Sequence, residues 1–284
     1  MINNQVDKQR LVEDAMRALL YEVSIHPKPG LVDPVTNGSH LDMDMFTFID
    51  SSISLMTYFQ ECVEVGWTFD KPSLIELFQQ IRPIGIKAEK SMFAATKGIN
   101  THKGAVFSLG ILVTATAYVQ NHEETDPFTV VKKMLKGLTK HDFDGIDSKP
   151  ESELTAGERE YLKYGITGIR GEAEAGYPTV TDIALPRLAM SKGNKNVRLL
   201  DTLMAIVGQT TDTNLVKRAG TTDIIPWAHE QVTHYFELGG ANTVEGMAFL
   251  ESLDDEFAKQ NLSLGGSADL LIVTIFAGLV QGLI

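Results

Sequence analysis

Apolar residues along this chain recur at three- and four-residue steps, the spacing that places them on one face of an α-helix. In residues 6–24, Leu11, Ala15, Leu19 and Val23 form one such stripe. No stretch alternates with a two-residue period over β-branched residues, so the sequence predicts no strand. We therefore predict an all-α fold. Comparable patterns predict further helices over 44–65, 73–97, 105–120, 127–139, 182–191, 197–209, 241–259 and 267–282.

Capping residues and prolines mark where these helical patterns begin or are interrupted. Asp126 precedes Pro127, an arrangement typical of a helix start. Pro83 interrupts one pattern, so we expect that helix to be kinked or divided. The polar segment 140–158 predicts a long connection or a mobile flap. Since no repeat or flexible linker separates the patterns, we predict a single multi-helix domain over residues 1–284.

Charge narrows the classes of ligand. The chain has 37 acidic and 25 basic residues and a net charge of −12. Non-specific nucleic-acid affinity depends on lysine and arginine, so we expect no nucleic-acid partner. A polyanionic ligand must therefore meet basic side chains gathered in one cleft, or a metal ion. The lone Cys62 excludes an internal disulfide and fits a reducing compartment.

Two long apolar runs, 105–119 and 270–284, raise the question of membrane insertion. Each is shorter than the roughly 20 residues that a membrane-spanning helix needs. Both contain glycine and threonine and follow polar residues, so we predict buried core helices. The polar stretch 1–10 lacks the pattern of a signal peptide. We expect a cytoplasmic protein with no membrane partner, and the sequence leaves a homo-oligomer open.

Glycine, proline, charged and amide residues cluster in five polar segments between the helices. Each segment adjoins a helix end, and loops at the ends of packed helices can meet to form a ligand site. We therefore predict that these glycine-rich inter-helix loops form the active site. In chain order, the first to fifth polar segments are residues 26–44, 98–104, 167–173, 211–218 and 261–269.

The second polar segment has the features of a phosphate site. It opens the apolar helix predicted over 105–120, and a helix N-terminus presents unpaired N–H groups and partial positive charge. Lys103 adds a full charge there, and Gly104 would let a ligand approach the backbone. The other segments contribute further anion-binding groups, namely Lys28, Arg170, Lys217, Arg218 and the backbone of Gly265, Gly266 and Ser267.

The same segments carry carboxylates with more than one interpretation. Asp42 and Asp44 could reach one cation, although Asp44 also fits a helix N-cap. Others could perform acid–base chemistry, although Asp212 and Asp269 also fit first-turn residues that balance a helix dipole. The carboxylates are Asp33, Asp42, Asp44, Glu172, Asp212 and Asp269.

Other polar residues also have purely structural interpretations. His102 fits a hydrogen-bonded structural histidine, and His40 a solvated loop residue. Lys217 and Arg218 could cap helix carbonyls. The acidic run 254–256 resembles a diphosphate–metal cluster, but its amphipathic setting favours a solvated helix face.

Six motifs together resemble the triphosphoribosyl-dephospho-coenzyme A synthase family, in order and over residues 20 to 280. This chain departs from the family pattern at Lys97, where the family has glycine, and at Leu264, where it has proline. The motifs are Pro27-Lys-Pro-Gly-Leu-Val-Asp33, Asp42-Met-Asp44, Asn100-Thr-His-Lys-Gly-Ala105, Gly168-Ile-Arg-Gly-Glu-Ala173, Asp212-Thr-Asn-Leu215 and Gly265-Gly-Ser-Ala-Asp-Leu-Leu271.

The resemblance implies a glycosyl-transfer enzyme. Its substrates would be ATP and 3′-dephospho-coenzyme A, and it would release adenine. The product would be 2′-(5″-triphosphoribosyl)-3′-dephospho-coenzyme A, the precursor of the prosthetic group of citrate lyase or malonate decarboxylase. A triphosphate and a pyrophosphate bound by an acidic protein would explain several separate anion sites.

Under this resemblance each candidate residue acquires an expected role. Glu172 or Asp33 would take the proton from the acceptor hydroxyl. Asp42 and Asp44 would hold Mg²⁺ on the triphosphate. Phosphates would be held by Lys28, Lys103, Arg170, Gly265, Gly266 and Ser267, while Asn100, His102 and Asn214 would orient ribose or base.

Two rival functions remain open from the sequence. An all-helical enzyme for allylic diphosphates would use Mg²⁺ and the acidic run 254–256. A non-catalytic helical protein would bind a nucleotide or coenzyme A without releasing adenine.

Overall fold

The computed structural model describes residues 7–284 and is all-α, as predicted; no β-strand occurs within that range. Residues 1–6, which include the start of the predicted 6–24 helix and most of the polar stretch 1–10, lie outside the described residues. The helices are α1 (Lys8–Ser24), α2 (Met45–Ser54), α3 (Met56–Thr68), α4 (Leu74–Ala95), α5 (Lys103–Gln120), α6 (Pro127–Met134), α7 (Leu138–Asp142), α8 (Ala156–Tyr164), α9 (Gly168–Glu174), α10 (Leu185–Met190), α11 (Lys195–Val207), α12 (Thr213–Ala219), α13 (Ile224–Glu237), α14 (Val244–Lys259) and α15 (Gly265–Val280).

The two apolar runs form buried helices at the centre of the fold. α5 packs against α1, α3, α4, α6 and α15, and α15 also packs against α11 and α12. Helix α3 approaches α5 closely at Gly66, where a Cβ atom would lie 2.2 Å from the carbonyl oxygen of Thr114. No helix among the described residues is long and apolar enough to cross a membrane.

Several predicted helices are divided in the structure. The 44–65 pattern becomes α2 and α3, separated at Leu55. The 127–139 pattern ends early because Gly137 takes a left-handed φ of 83°, which favours glycine. Pro83 lies inside the single helix α4 and does not divide it. Asp126 caps α6 through the N–H groups of Phe128 and Thr129, as its position predicts.

The predicted connection 140–158 contains two short 3₁₀ turns, Ile146–Ser148 and Glu151–Glu153, and leads into α8. The periodicity also missed α9, α12 and α13. The first two have seven residues each, too few to show a repeating apolar stripe. A wide π-type turn, Thr179–Ala184, precedes α10 and takes up the start of the predicted 182–191 helix.

Candidate active site

All five polar segments contribute to the wall of a cavity of about 820 Å³. This volume lies in the upper part of the roughly 300–1,000 Å³ range of small-molecule sites. Tertiary packing thus brings together segments as distant in sequence as Lys28 and Asp269. Of the predicted site residues, the wall contains Lys28, Asn100, His102, Lys103, Arg170, Glu172, Asn214, Gly265 and Gly266. Asp33, Asp42, Asp44 and Ser267 are not among the residues that line it.

Helix α5 begins at the cavity wall with Lys103. The Oδ1 atom of Asn100 accepts the Lys103 N–H at 3.3 Å, which satisfies one free donor of the helix start. The Lys103 ammonium forms an ion pair with Glu89 at 3.3 Å, and its side chain is 50% exposed. Because exposed ion pairs are weak, a phosphate can displace Glu89 from this lysine.

Gly104 makes room for a carboxylate of the protein itself. A Cβ atom at this position would lie 1.9 Å from Oδ2 of Asp269, a distance that atoms cannot adopt. The sequence interpretation, in which Gly104 admits a ligand to the backbone, therefore needs correction. The space beside Gly104 is filled by Asp269, which itself lines the cavity.

Arg170 is oriented by an acidic residue that the motif analysis did not single out. Its Nε donates to Oδ2 of Asp142 at 2.9 Å, and Arg82 donates to Oδ1 of the same carboxylate at 3.0 Å. Asp142 thereby fixes one edge of the Arg170 guanidinium. The two terminal nitrogens remain for a ligand, an arrangement suited to bidentate phosphate binding.

Lys28 lies deeper and is only 1% exposed. Its ammonium donates to the backbone oxygen of Glu22 at 2.8 Å and forms a close ion pair with the Glu22 carboxylate. An ammonium has three donors, so one is left for a ligand. Both residues line the cavity, and neither charge is buried without a partner.

His102 is buried and neutral. Burial, together with the charge of Lys28, lowers the pKa of His102 to about 3. Thr101 donates its hydroxyl to Ser51, and the Ser51 oxygen lies 2.7 Å from Nδ1 of His102. The second ring nitrogen is Nε2, and the tautomer decides which of the two nitrogens carries the hydrogen. Within the described residues this Nε2 has no hydrogen-bond partner.

Asp212 joins the starts of α12 and α15. Its Oδ1 accepts the N–H groups of Asn214 and Leu215 at 2.9 and 3.1 Å. Its Oδ2 accepts the N–H and hydroxyl of Ser267 at 2.7 and 2.8 Å, and Oδ1 also accepts the Gly266 N–H at 3.3 Å. Burial raises the pKa of Asp212, an effect that these bonds partly offset.

These contacts change the interpretation of the fifth polar segment. The donors of Gly266 and Ser267 that were expected to bind phosphate already bind the Asp212 carboxylate. Ser267 is fully buried and does not line the wall, whereas its neighbours Gly265 and Gly266 do. The start of α15 is therefore joined to α12 through Asp212, and of the expected phosphate contacts at this turn only that of Gly265 stays a prediction.

Glu172 lies on α9 and lines the cavity. Its Oε1 accepts the Thr179 N–H at 2.7 Å. Burial raises the pKa of Glu172, and the bond from Thr179 offsets part of the increase. A carboxylate with a raised pKa beside a ligand cavity is suited to exchange protons near neutral pH.

Asp33 organises the loop between α1 and α2 and does not reach the cavity. Its Oδ1 accepts the N–H groups of Val35 and Thr36, each at 2.8 Å. Its Oδ2 lies 2.7 Å from Nδ1 of His26 and 3.3 Å from the Lys28 N–H. With both oxygens accepting hydrogen bonds and the side chain buried outside the cavity wall, Asp33 is less suited than Glu172 to act as the base.

Asp42 and Asp44 are both exposed, and neither lines the cavity. Asp44 accepts the Thr47 N–H at 2.9 Å and forms the capping box that starts α2, its alternative interpretation. Within residues 7–284, no three or more His, Cys, Asp or Glu side chains form a group that could hold a metal ion. A site of two carboxylates completed by substrate phosphates needs no such group, so the magnesium role of Asp42 and Asp44 stays a prediction.

The acidic run 254–256 also lies outside the cavity wall. Asp255 and Glu256 are exposed, as a solvated face requires, but Asp254 is buried. It accepts the Gly30 N–H at 2.8 Å and the Thr36 hydroxyl at 3.2 Å. Asp254 thus supports the same loop as Asp33, and the run does not act as a diphosphate–metal cluster on this cavity.

Arg218 lines the cavity and ties two polar segments together. It donates to the backbone oxygen of Ser39 at 3.0 Å and to the side chain of Asn261 at 2.6 Å. Its second nitrogen lies 3.2 Å from Nδ1 of His40, so His40 turns its Nε2 toward Ser263. Burial and Arg218 lower the pKa of His40, which keeps this wall residue neutral.

Three cavity features escaped the sequence analysis. Asp142, which orients Arg170, lies in the segment predicted as a connection. Ser51, which orients His102, lies within the apolar pattern of 44–65. Glu22, the partner of Lys28, ends the stripe of α1. Glu22 and Ser51 are buried polar residues within apolar helical patterns, which is the signal that could have identified them. Asp142 lies on the short helix α7, where only Leu138 is buried, so no such signal marks it.

Comparison with known proteins agrees with the six motifs. Residues 8–283 match the family model CitG, described as ATP:dephospho-CoA triphosphoribosyl transferase. A probable 2-(5″-triphosphoribosyl)-3′-dephosphocoenzyme-A synthase of Lactiplantibacillus plantarum is 59% identical over 96% of this chain and 98% of its own length. A protein of the same name from Streptococcus equi subsp. zooepidemicus is 38% identical over 94% of this chain and 95% of its own.

A longer relative contains the whole length of this chain. Protein CitXG of Leuconostoc mesenteroides subsp. cremoris is 49% identical over 99% of this chain, which spans 61% of that protein. No solved structure matches the chain. The family match covers nearly all described residues, and the cavity is built from the motifs that carry the resemblance. The chain therefore belongs to the ATP:dephospho-CoA triphosphoribosyl transferase family.

Proposed function

We propose that this protein transfers the 5-triphosphoribosyl group of ATP to the 2′-hydroxyl of 3′-dephospho-coenzyme A and releases adenine. The observation that carries the proposal is the convergence of all five polar segments on one cavity. In a protein of net charge −12, that cavity collects Lys28, Lys103, Arg170 and Arg218 on its wall. The wall also carries five carboxylates, so its net charge is not positive; both substrates carry several phosphates, which charge-assisted hydrogen bonds from these individual side chains can hold.

The phosphates are held by side chains rather than by the start of α15. Arg170, aligned by Asp142, offers two terminal nitrogens, and Lys103 offers a half-exposed ammonium. Lys28 supplies its third donor from the buried part of the wall. Asn100, His102 and Asn214 line the same cavity with uncharged groups, which suit the ribose and the base.

Magnesium enters this proposal as part of the substrate, bound to the phosphates of ATP. Mg²⁺ keeps several water ligands and pairs readily with substrate phosphates, so a resident protein site is not required. Asp42 and Asp44 lie outside the cavity wall.

The reaction is a displacement at the anomeric carbon of the ATP ribose. The bond from this carbon to N9 of adenine breaks, and a bond to the acceptor 2′-oxygen forms. By analogy with glycosyl transfer, positive charge develops on the ribose, and a nearby carboxylate stabilises it. Glu172 takes the proton of the 2′-hydroxyl, because it is the wall carboxylate whose Oε2 is left free by the Thr179 bond.

Chromatography of adenine released from ATP and dephospho-coenzyme A tests the function directly. Glu172→Gln keeps the shape of the side chain and removes the base, so we expect turnover to fall by roughly 10²–10⁴-fold. ATP binding, measured in parallel, should be retained. The exposed Glu256→Gln is the matched control and should leave turnover unchanged.

Each failure of this experiment has a distinct meaning. A wild-type protein that binds both substrates and releases no adenine contradicts the enzymatic function and supports a non-catalytic nucleotide-binding protein. Normal adenine release by Glu172→Gln contradicts only the assignment of the base. Loss of adenine release in Glu256→Gln would instead show that the acidic run 254–256 takes part in the reaction.

Three broader expectations accompany this function. The chain acts as one domain, since its main buried cluster draws on helices from α1 to α15. A cytoplasmic location fits the single buried Cys62, which cell fractionation would test. The mass of the protein in solution would test whether it forms a homo-oligomer.

A further inference from the structure

Asp269 lies where the two central helices meet the cavity. It follows the first turn of α15 and lines the wall, and its carboxylate lies against Gly104 in the first turn of α5. The glycine is what makes this contact fit, because any side chain there would overlap Oδ2. Two helices are thus packed around one carboxylate that faces the ligand space.

The groups around this carboxylate favour its protonated form. Glu22 on α1 and Asp212 before α12 both act on it with negative charge, and Lys28 is already engaged by Glu22. The hydroxyl of Tyr177 also lies within electrostatic reach. Burial first, and then these two carboxylates, raise the pKa of Asp269 well above its usual range, while the Ala105 N–H opposes the shift in part.

Glu172 has a different environment on the same cavity. The Thr179 N–H donates to its carboxylate, a bond that favours the ionised form. Burial raises the pKa of both carboxyl groups, but that of Asp269 is raised further, because Asp212 and Glu22 lie near it. Two wall carboxylates whose pKa values differ in this way can divide the work of proton transfer, one as acid and one as base.

We propose that Asp269 is the general acid that protonates the departing adenine. The inference rests on the proposed function, whose base is Glu172. As the bond from the anomeric carbon to N9 breaks, its electron pair passes to the purine and the Asp269 proton moves to a purine ring nitrogen. The acceptor 2′-oxygen forms the new bond and gives its proton to Glu172. Proton exchange with water returns both residues to their starting forms.

A leaving group that needs less protonation provides the test. In 8-aza-ATP a nitrogen replaces C8, and the released base departs as a stabilised anion of nearly the same shape as adenine. Release of both bases is measured for wild type and for Asp269→Asn, with Asp255→Asn as an exposed control. With ATP we expect Asp269→Asn to lose roughly 100-fold or more. With 8-aza-ATP the loss should be under about 10-fold.

The outcome separates a proton donor from a structural residue. Equal losses with the two substrates, or no loss with ATP, would overturn the assignment. Glu172→Gln should lose activity with both substrates, because the acceptor is the same. If wild type releases neither base, the proposed function itself has failed, which is a different result from equal losses in the variant.

Wild-type protein provides a second test should Asp269→Asn fail to fold. With ATP, kcat should decline as pH rises through the pKa of Asp269, because the acid then loses its proton. With 8-aza-ATP that decline should be much weaker. Identical alkaline limbs for the two substrates would contradict the proposal.

Discussion

Gly104→Ala adds one methyl group at the contact between α5 and Asp269. The backbone accepts alanine, because position 104 is helical and its φ is not among the positive values. The new Cβ atom would lie 1.9 Å from Oδ2 and 2.6 Å from Cγ of Asp269. Either the carboxylate or the start of one helix must therefore move.

Two opposing effects set the size of the change in stability. Replacing glycine by alanine inside a helix stabilises by about 1 kcal/mol, whereas an overpacked contact costs about 1–3 kcal/mol. The net expectation is a loss of up to about 2 kcal/mol in the free energy of unfolding. Activity is more sensitive, because displacement of a catalytic group by about 1 Å can cost roughly 100-fold in rate.

Gly85→Ala is the matched control. Gly85 is also helical, in α4, and its Cβ atom would lie 3.6 Å from the Tyr58 hydroxyl, an ordinary contact. Denaturant unfolding should show Gly85→Ala more stable than wild type and Gly104→Ala less stable than Gly85→Ala by about 1–3 kcal/mol. Adenine release should fall only in Gly104→Ala.

A double variant identifies the cause. Combining Gly104→Ala with Asp269→Ala removes the overlapping carboxylate, so the stability lost through the clash should return while adenine release stays low. If Gly104→Ala is instead as stable as Gly85→Ala and fully active, the packing of Asp269 against Gly104 is wrong.

Three further predictions concern other parts of the site. Arg170→Lys loses the guanidinium fork, and kcat/KM for ATP should fall by roughly 10–100-fold, since a charge-assisted bond contributes about 1.5–3 kcal/mol; an unchanged KM for ATP would refute this phosphate contact. Asp44→Ala removes the α2 cap and should lower the thermal unfolding midpoint without altering the magnesium dependence of adenine release. His102, with its pKa lowered from 6.5 to about 3, resists protonation when folded, so the free energy of unfolding should fall as pH decreases through this window. This group contributes a slope of about 1.4 kcal/mol per pH unit to the free energy of unfolding. Denaturant titrations at several pH values should show a smaller slope for His102→Asn.

Local sequence determined the helices and the pieces of the site. The continuous apolar run predicted the buried helix α5, and Asp126 before Pro127 predicted the start of α6. Both signals are formed by residues only a few positions apart in the sequence. The glycine-rich segments were recognisable for the same reason. That Lys103 and Arg170 face one cavity follows from their motifs only through the resemblance to a family, since nothing local measures their separation.

Tertiary packing decided what each polar residue does. Asp44 and Asp212 both cap helices through adjacent N–H groups, but only Asp212 also binds the start of a second helix, α15, 55 residues further along the chain. That contact turns an expected phosphate-binding turn into a helix junction. Gly104 and Asp269 are likewise far apart in sequence. Their contact places the Asp269 carboxyl at the cavity, where its surroundings favour the protonated form.

The physical reason is the range of the forces involved. Helix periodicity and capping act within one or two turns, so a single sequence displays them. Burial and the repulsion between carboxylates depend on which helices pack together, and they set the protonation of Asp269, Glu172 and His102. The sequence alone thus determined the all-α class, most of the longer helices and the family of this protein, and the packing of the helices decided which polar side chains face the cavity.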